Sequence, residues 1–239
     1  MHRINLSPQR IGTLFCWLIP AIVIVGAFAN YGIYNLAPAP DHPIADVLKR
    51  FDLGHEPSIP AFYSSSVMLL TALFLLFVGQ VDKQRKKPYR FWYFLSVLFI
   101  AIAIDEAALF HEMIDAAMGK LSINTGLYFS WIIPGSLFAA AVGLGSLRFL
   151  LTLPRRTSVW LIASGVVFVA GAVGMEALAG IIFSNSVSEE EAMRSVAHVV
   201  VQAIEEGLEM VGIALFLTGL VDYVQHSGIV VFWEQQARD

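Results

Sequence analysis

A chain of 239 residues that is 57% hydrophobic and 14% charged, with a mean hydropathy of +0.68, lies far from the roughly one-quarter charged content of soluble domains and reads as an all-α polytopic membrane protein. A net charge of -4 without a long basic tract excludes nucleic acid as a partner, because that contact needs a concentrated positive surface. The single Cys16 excludes an internal disulfide, a C-x-x-C redox pair and a thiolate zinc cluster, which leaves carboxylates and imidazoles for any metal chemistry.

Apolar runs long enough to cross a bilayer fall at residues 12–35, 60–80, 91–117, 127–152, 157–183 and 193–224. They predict a six-helix transmembrane bundle in one domain, 1–239. The first run follows Arg3 and Arg10 and contains Ala27-Phe28-Ala29, as a signal peptide would, but its apolar stretch exceeds an h-region and is read as a retained anchor. The segment 36–59 is the longest loop, and "PIADVLKRFDLG" within it reads either as a short amphipathic helix over the bundle mouth or as coil. Phe91-Trp92-Tyr93 after Arg90 forms an interfacial belt, and Ser188 with Glu191 makes a capping box expected to open the sixth helix. Lys and Arg are divided 11 to 4 between the two sides, which predicts both termini in the cytoplasm and segments 36–59 and 184–192 outside. Neither an inverted repeat nor a low-complexity segment is present.

Eight of the 19 acidic residues fall inside these helices or at their edges: Asp105, Glu106, Glu112 and Asp115 in the third, Glu176 in the fifth, and Glu205, Glu206 and Glu209 in the sixth, joined by His111 and His198. A charge at the bilayer centre costs roughly 2.5–3.5 kcal/mol on insertion scales, so these groups are expected to converge inside the bundle. At about 100° per residue, His198, Gln202, Glu205 and Glu209 form one stripe about 60° wide, with Glu206 on its flank. Counted on one continuous third helix, Asp105 and Glu112 share a face and Glu106 lies off it. Matching depths predict Glu176 near His198 and Asp105 near Glu205, with the third, fifth and sixth helices as mutual neighbours. Small residues in "AGAVGMEALAG", together with Gly212 and Gly219, would permit that approach. Asp115, the 189–191 acids, and His2, His42, His55 and His226 are read as surface or capping groups, and the Ser64-Ser65-Ser66 cluster and Pro134 as packing and kink features.

Carboxylates with two histidines are the ligand inventory of a membrane metal centre, potentially dinuclear and serving an oxidoreductase, with Fe, Mn or Zn as the divalent candidates. The expected ligands are Asp105, Glu112, Glu176, His198, Glu205 and Glu209, with His111 and Glu206 in direct or supporting roles. The Glu-x-x-His spacing of ferritin-like bundles is absent. The runner-up reading of the same acids is a proton- or cation-coupled carrier or channel; against it, "VGIALFLTGL" and "SVWLIASGVVFV" offer no polar continuation. A membrane metal-dependent hydrolase is a third reading, and a poor one with only two membrane histidines and no H-x-x-x-H.

"AIDEAALFHE", "GAVGMEALAG" and "QAIEEGLEMVGIALF" together resemble uncharacterised bacterial multipass membrane proteins in which a D-E…H-E helix is followed by a lone-Glu helix and an E-E-x-x-E-M helix. The resemblance spans residues 100 to 216. It implies a bacterial inner membrane and one functional constellation, and carries no activity. The partners expected are the lipid bilayer and either a second copy of the chain or another membrane protein.

Overall fold

A computed structural model describes residues 2–3, 7–36, 42–120, 125–229 and 232–233. In α5 below, the side chains of Glu112 and Asp115 fall outside the description, so these two expected site residues are placed by backbone only.

The helices are α1 (Pro8–Asn35), α2 (Pro43–Lys49), α3 (Ile59–Gln84), α4 (Arg90–Ala108), α5 (Phe110–Lys120), α6 (Ile132–Leu150), α7 (Arg155–Val169), a π-helical segment (Ala170–Met175), α8 (Glu176–Asn185), α9 (Glu189–Arg194) and α10 (Val196–His226). Six spans are long and apolar enough to cross a membrane: α1, α3, α4, α6, the continuous rod Arg155–Asn185, and α10. The chain is a multi-pass membrane protein. A two-residue antiparallel pairing, β1 (His2–Arg3) with β2 (Phe232–Trp233), joins the two ends of the chain at one end of the bundle, as an even number of spans requires.

The central strut is α10. Of its most apolar window, 72% is buried, against 11% in α6, so α10 is surrounded by protein while α6 keeps most of its apolar face for lipid. Glycines set how closely α10 is approached. A Cβ on Gly219 would lie 2.6 Å from Trp160 Cβ, and one on Gly212 would lie 2.8 Å from the Phe168 backbone nitrogen. The small residues noted in the sequence therefore bring the Arg155–Asn185 rod against α10. From the other side α4 meets α10 through rings, with Trp92–Tyr223 centroids 5.4 Å apart and Phe99–Phe216 4.6 Å apart.

Three expectations change. The third predicted helix is interrupted: Leu109 adopts a left-handed conformation (φ 54°, ψ 41°) and separates α4 from α5. That conformation costs a non-glycine residue energy, and here the Asp105 carboxylate compensates by accepting hydrogen bonds from the His111 backbone N–H (3.0 Å) and contacting its ring Nδ1 (3.1 Å). The Ser188–Glu191 cap opens the separate α9, while Ser195 Oγ accepts from the His198 N–H to open α10. The fifth span carries a π-helical segment over "AGAVGM", a distortion frequent beside functional sites, which ends at Glu176.

Candidate functional site

The loop between α2 and α3 folds down into the bundle mouth. Asp52 and Leu53 are buried, and Leu53 fills the space left by Gly26 of α1, where a Cβ would come within 2.5 Å of Leu53 Cγ. Gly54 sits against the Gln202 side-chain amide so closely that any Cβ would overlap Nε2. Asn30 of α1, itself buried, fastens this loop to α10: its Nδ2 donates to Asp52 Oδ1 (3.1 Å) and to Gln202 Oε1 (2.9 Å). Burial pushes the Asp52 carboxyl above its ordinary range, against the opposing pull of the Asn30 amide, the Gly54 and Leu53 N–H groups and the nearby His55. α2 covers the same mouth, with Leu48 packed on Gly32, so the helical alternative for "PIADVLKRFDLG" is the one adopted.

Beneath this cover lies a chamber of carboxyl groups. Glu205 of α10 and Glu176 at the start of α8 bring their carboxyls into hydrogen-bonding contact, and the Trp131 indole N–H donates to Glu176 Oε1 (3.2 Å). Glu206 stands within electrostatic range of Glu106, Glu56, Asp52 and Glu176. Glu209, one turn deeper, is within range of Glu206, Glu106, Glu205 and Glu176. These glutamates come from the loop, α4, α8 and α10, and Glu106, Glu176, Glu205, Glu206 and Glu209 are half-buried. Gly171 of the π segment brings the backbone against them: a Cβ there would lie 2.8 Å from the Glu205 carbonyl and 3.0 Å from Glu209 Cγ.

The expected residues divide into those assembled here and those set apart. Glu176, Glu205, Glu206 and Glu209 meet. Asp105 turns away to cap α5 and pair with His111, so its place in the chamber is taken by Glu106. His111 stays at the rim, its ring 5.3 Å from Trp131 and within range of Glu106. His198 lies above, buried, its ring 5.2 Å from Phe183 and its Nδ1 without a partner; Glu176, expected beside it, has Trp131 and Glu205 as neighbours instead. The sequence reading missed Glu106, Glu56 and Asp52. For Glu106 a signal was present: Trp92, Leu95, Phe99, Ala103 and Glu106 follow one another at spacings of three and four, and the first four pack inward, so the stripe continues to Glu106 and not to Asp105. For Glu56 and Asp52 the sequence carries no such periodicity, since both lie in irregular backbone.

Among the described residues, no group of three or more His, Cys, Asp or Glu side chains is gathered closely enough to enclose a metal ion. A family model described as Domain of unknown function (DUF8692) matches residues 15–223. The chain belongs to that family. The matched region runs from within α1 nearly to the end of α10 and therefore contains every chamber residue. No curated protein and no solved structure matches the chain.

The floor of the chamber is apolar. Met68, Ala103 and Ile213 are buried together, with Phe99 and Phe168 packed on them, and below this layer the described core is aliphatic and aromatic through Leu75, Leu95, Phe216 and Leu220. Buried hydroxyls at this depth, Thr71, Ser96, Ser164 and Thr218, all donate to backbone carbonyls. The acids thus stop at an apolar layer on the side away from the loop.

Proposed function

We propose that this is a cation-binding protein of the bacterial inner membrane, its termini in the cytoplasm, whose chamber holds a divalent metal ion at the Glu176–Glu205 pair. One observation carries the reading: two carboxyl groups from different helices touch at membrane depth, with further glutamates in electrostatic range and no Lys or Arg in their described surroundings. Such an arrangement needs positive charge between the acids. Hard divalent ions bind through one or two carboxylates while keeping several waters, so the pair is sufficient without an enclosing set of three. The histidines stand off the pair, and this favours an oxygen-ligated ion such as Mn²⁺ over a histidine-tuned iron or zinc centre. Acids that stop at an apolar layer suit a resident ion or a bound substrate better than a continuous conduit. Oxidoreductase chemistry would require a redox-active occupant of the same pair.

A second reading, a proton-coupled carrier, draws support from that same contact, because two carboxyls at hydrogen-bonding distance are also the geometry of a shared proton. Metal analysis separates the two. Purified wild type is expected to contain stoichiometric divalent metal and to melt at lower temperature when chelated, since an ion bound only by the folded state adds stability. Glu205→Gln and Glu176→Gln should lose both the metal and the chelator response. Metal-free wild type after expression with manganese, iron and zinc supplied, with melting indifferent to chelator, would replace the metal reading by the carrier.

A further inference from the structure

At the end of the bundle away from the loop, the start of α4 meets the end of α6 at Phe149, whose ring lies 4.8 Å from that of Phe91 and 4.7 Å from that of Trp92. Beside this contact a groove of about 340 Å³ runs between the two helices, lined by Arg90, Phe91, Phe94, Ala141, Val142 and Gly145. Phe94, Ala141 and Gly145 are exposed, and α6 buries only 11% of its most apolar window, so the groove opens toward the hydrocarbon. Gly145 does not serve helix packing: a Cβ added to it would meet nothing within 4 Å, unlike Gly212 and Gly219 against the Arg155–Asn185 rod. A recess with apolar walls in two membrane-spanning helices takes up lipid chain in preference to water, which would find no hydrogen-bond partners there.

The aqueous end of the groove is positive. Arg90 is the first residue of α4 and shares a face with Phe94, one turn further into the membrane. Arg148 follows Gly145 and Ala141 at the i+3 and i+7 positions, which puts it at the edge of the same α6 face. Both arginines are exposed, and among the described residues neither is paired with an acid. Other arginines at this end are engaged: Arg156 with Asp222, and Arg85 with the Ser227 and Gly228 carbonyls. α4 also opens without a side-chain cap, and an uncapped helix N-terminus favours an anion.

We propose that this groove binds an anionic phospholipid of the leaflet at this end, with an acyl chain laid between α4 and α6 and the headgroup phosphate held by Arg90 and Arg148. The occupant follows from the two halves of the site. Apolar walls open to hydrocarbon accept a chain, and two uncommitted guanidinium groups at the chain's aqueous end accept a phosphate, which suits the planar fork of arginine. Basic pockets between membrane helices recognise lipid headgroups by this combination. A zwitterionic headgroup carries its own cation beside the phosphate, so the two arginines favour a lipid of net negative charge. In the orientation proposed above this is the cytoplasmic leaflet. The site is separate from the carboxyl chamber, which lies at the opposite end of the bundle.

Native mass spectrometry of the full chain in detergent, titrated with dioleoyl phosphatidylglycerol and separately with dioleoyl phosphatidylcholine, tests the proposal. Wild type should retain one phosphatidylglycerol per chain and bind it more tightly than phosphatidylcholine. Arg90→Gln and Arg148→Gln should each weaken phosphatidylglycerol about five-fold, the scale of one basic residue's attraction to anionic lipid, and narrow the preference. Gly145→Leu should displace the lipid while melting as wild type or slightly higher, since its side chain enters open space and leucine is the better helix former. Arg155→Gln removes a basic residue at the same end but outside the groove lining and should leave binding unchanged. Equal affinity of wild type for the two lipids overturns the proposal, as does retention unaffected by Gly145→Leu. A loss in Arg155→Gln equal to that in Arg90→Gln overturns it too, because the attraction would then belong to the whole basic surface. A dimer that Gly145→Leu dissociates with no lipid lost would replace the phospholipid by a second copy of the chain.

Discussion

The two ends of the bundle bury acids in opposite ways. At the loop end, Glu176, Glu205, Glu206, Glu209 and Glu106 face one another. At the other end each buried acid faces donors: Asp82 Oδ2 accepts from the Trp92 indole N–H (2.9 Å) and the Tyr223 hydroxyl (2.7 Å), and Asp222 pairs with the Arg156 guanidinium (2.9 Å), with His226 Nδ1 at 3.4 Å. Arg85 donates to the Ser227 and Gly228 carbonyls and clamps the end of α10. The same residue type is therefore neutralised by donors and cations at one end, whereas at the other its described neighbours are chiefly further acids, with the Trp131 indole as a donor to Glu176. An acid cluster at membrane depth with few donors is a pattern that functional sites favour, and the proposed cation site gives it a role.

The sharpest way to break this contrast is at Asp82. Asp82→Ala strips the acceptor from two buried donors on α4 and α10, each costing about 1–3 kcal/mol when left unsatisfied, so the variant should lose about 3 kcal/mol or more and fail to accumulate as folded protein. Asp82→Asn retains one carbonyl oxygen and should lose less. Detergent melting and expression yield measure both, and a wild-type-like Asp82→Ala would mean that the donor-rich end is not the structural end.

Gly171→Ala probes the contact between the two halves of the site. The added methyl would lie 2.8 Å from the Glu205 carbonyl and 3.0 Å from Glu209 Cγ, so the rod must shift from α10, at a cost of about 1–3 kcal/mol. Metal content should fall alongside thermal stability. A loss of stability with metal content intact would place the chamber's ligands away from the π segment.

At the chamber the sign reverses. Glu205→Gln supplies a permanent N–H donor to the Glu176 carboxylate where the two acids must share a proton to stay in contact, so in chelator the variant should melt a few degrees higher than wild type, corresponding to about 1 kcal/mol in a chain of this size. With metal supplied the order should invert. Destabilisation of Glu205→Gln in chelator would give the glutamates the same structural role as Asp82.

What the sequence made legible follows from this division. Six spans were readable because lipid imposes length and hydropathy on each, and the chamber's α10 face because Glu205 and Glu209 ride on an uninterrupted helix. The α4 contribution was misread at a single point. Leu109 breaks the helix, so the phase carried from Asp105 to Glu112 across it has no meaning, whereas the phase carried up from Trp92 and Ala103 leads to Glu106. The loop acids Asp52 and Glu56 were beyond reach because both lie in irregular backbone, and Asp52 is placed by Asn30, 22 residues away, which is itself held by Gln202, 172 residues from it.

The smallest effect expected is at the chamber's cover. Burial raises the Asp52 carboxyl above its ordinary range despite the Asn30 amide, so the folded state prefers Asp52 protonated more strongly than the unfolded state does. Such a group's contribution to stability is fully present below the unfolded pKa and is lost as pH rises through the folded one. At neutral pH Asp52 is therefore carried at a cost. Asp52→Asn keeps the oxygen that accepts from Asn30 Nδ2 and removes the charge, so it should melt slightly higher than wild type at pH 7, with the difference shrinking as pH falls toward the ordinary carboxylate range. Melting curves in chelator across pH 4 to 8 measure the difference without interference from bound metal. An advantage that instead grew toward acid pH would mean that Asp52 is held ionised by Asn30 and His55, placing it with the donor-satisfied acids of the opposite end and outside the chamber's electrostatic system.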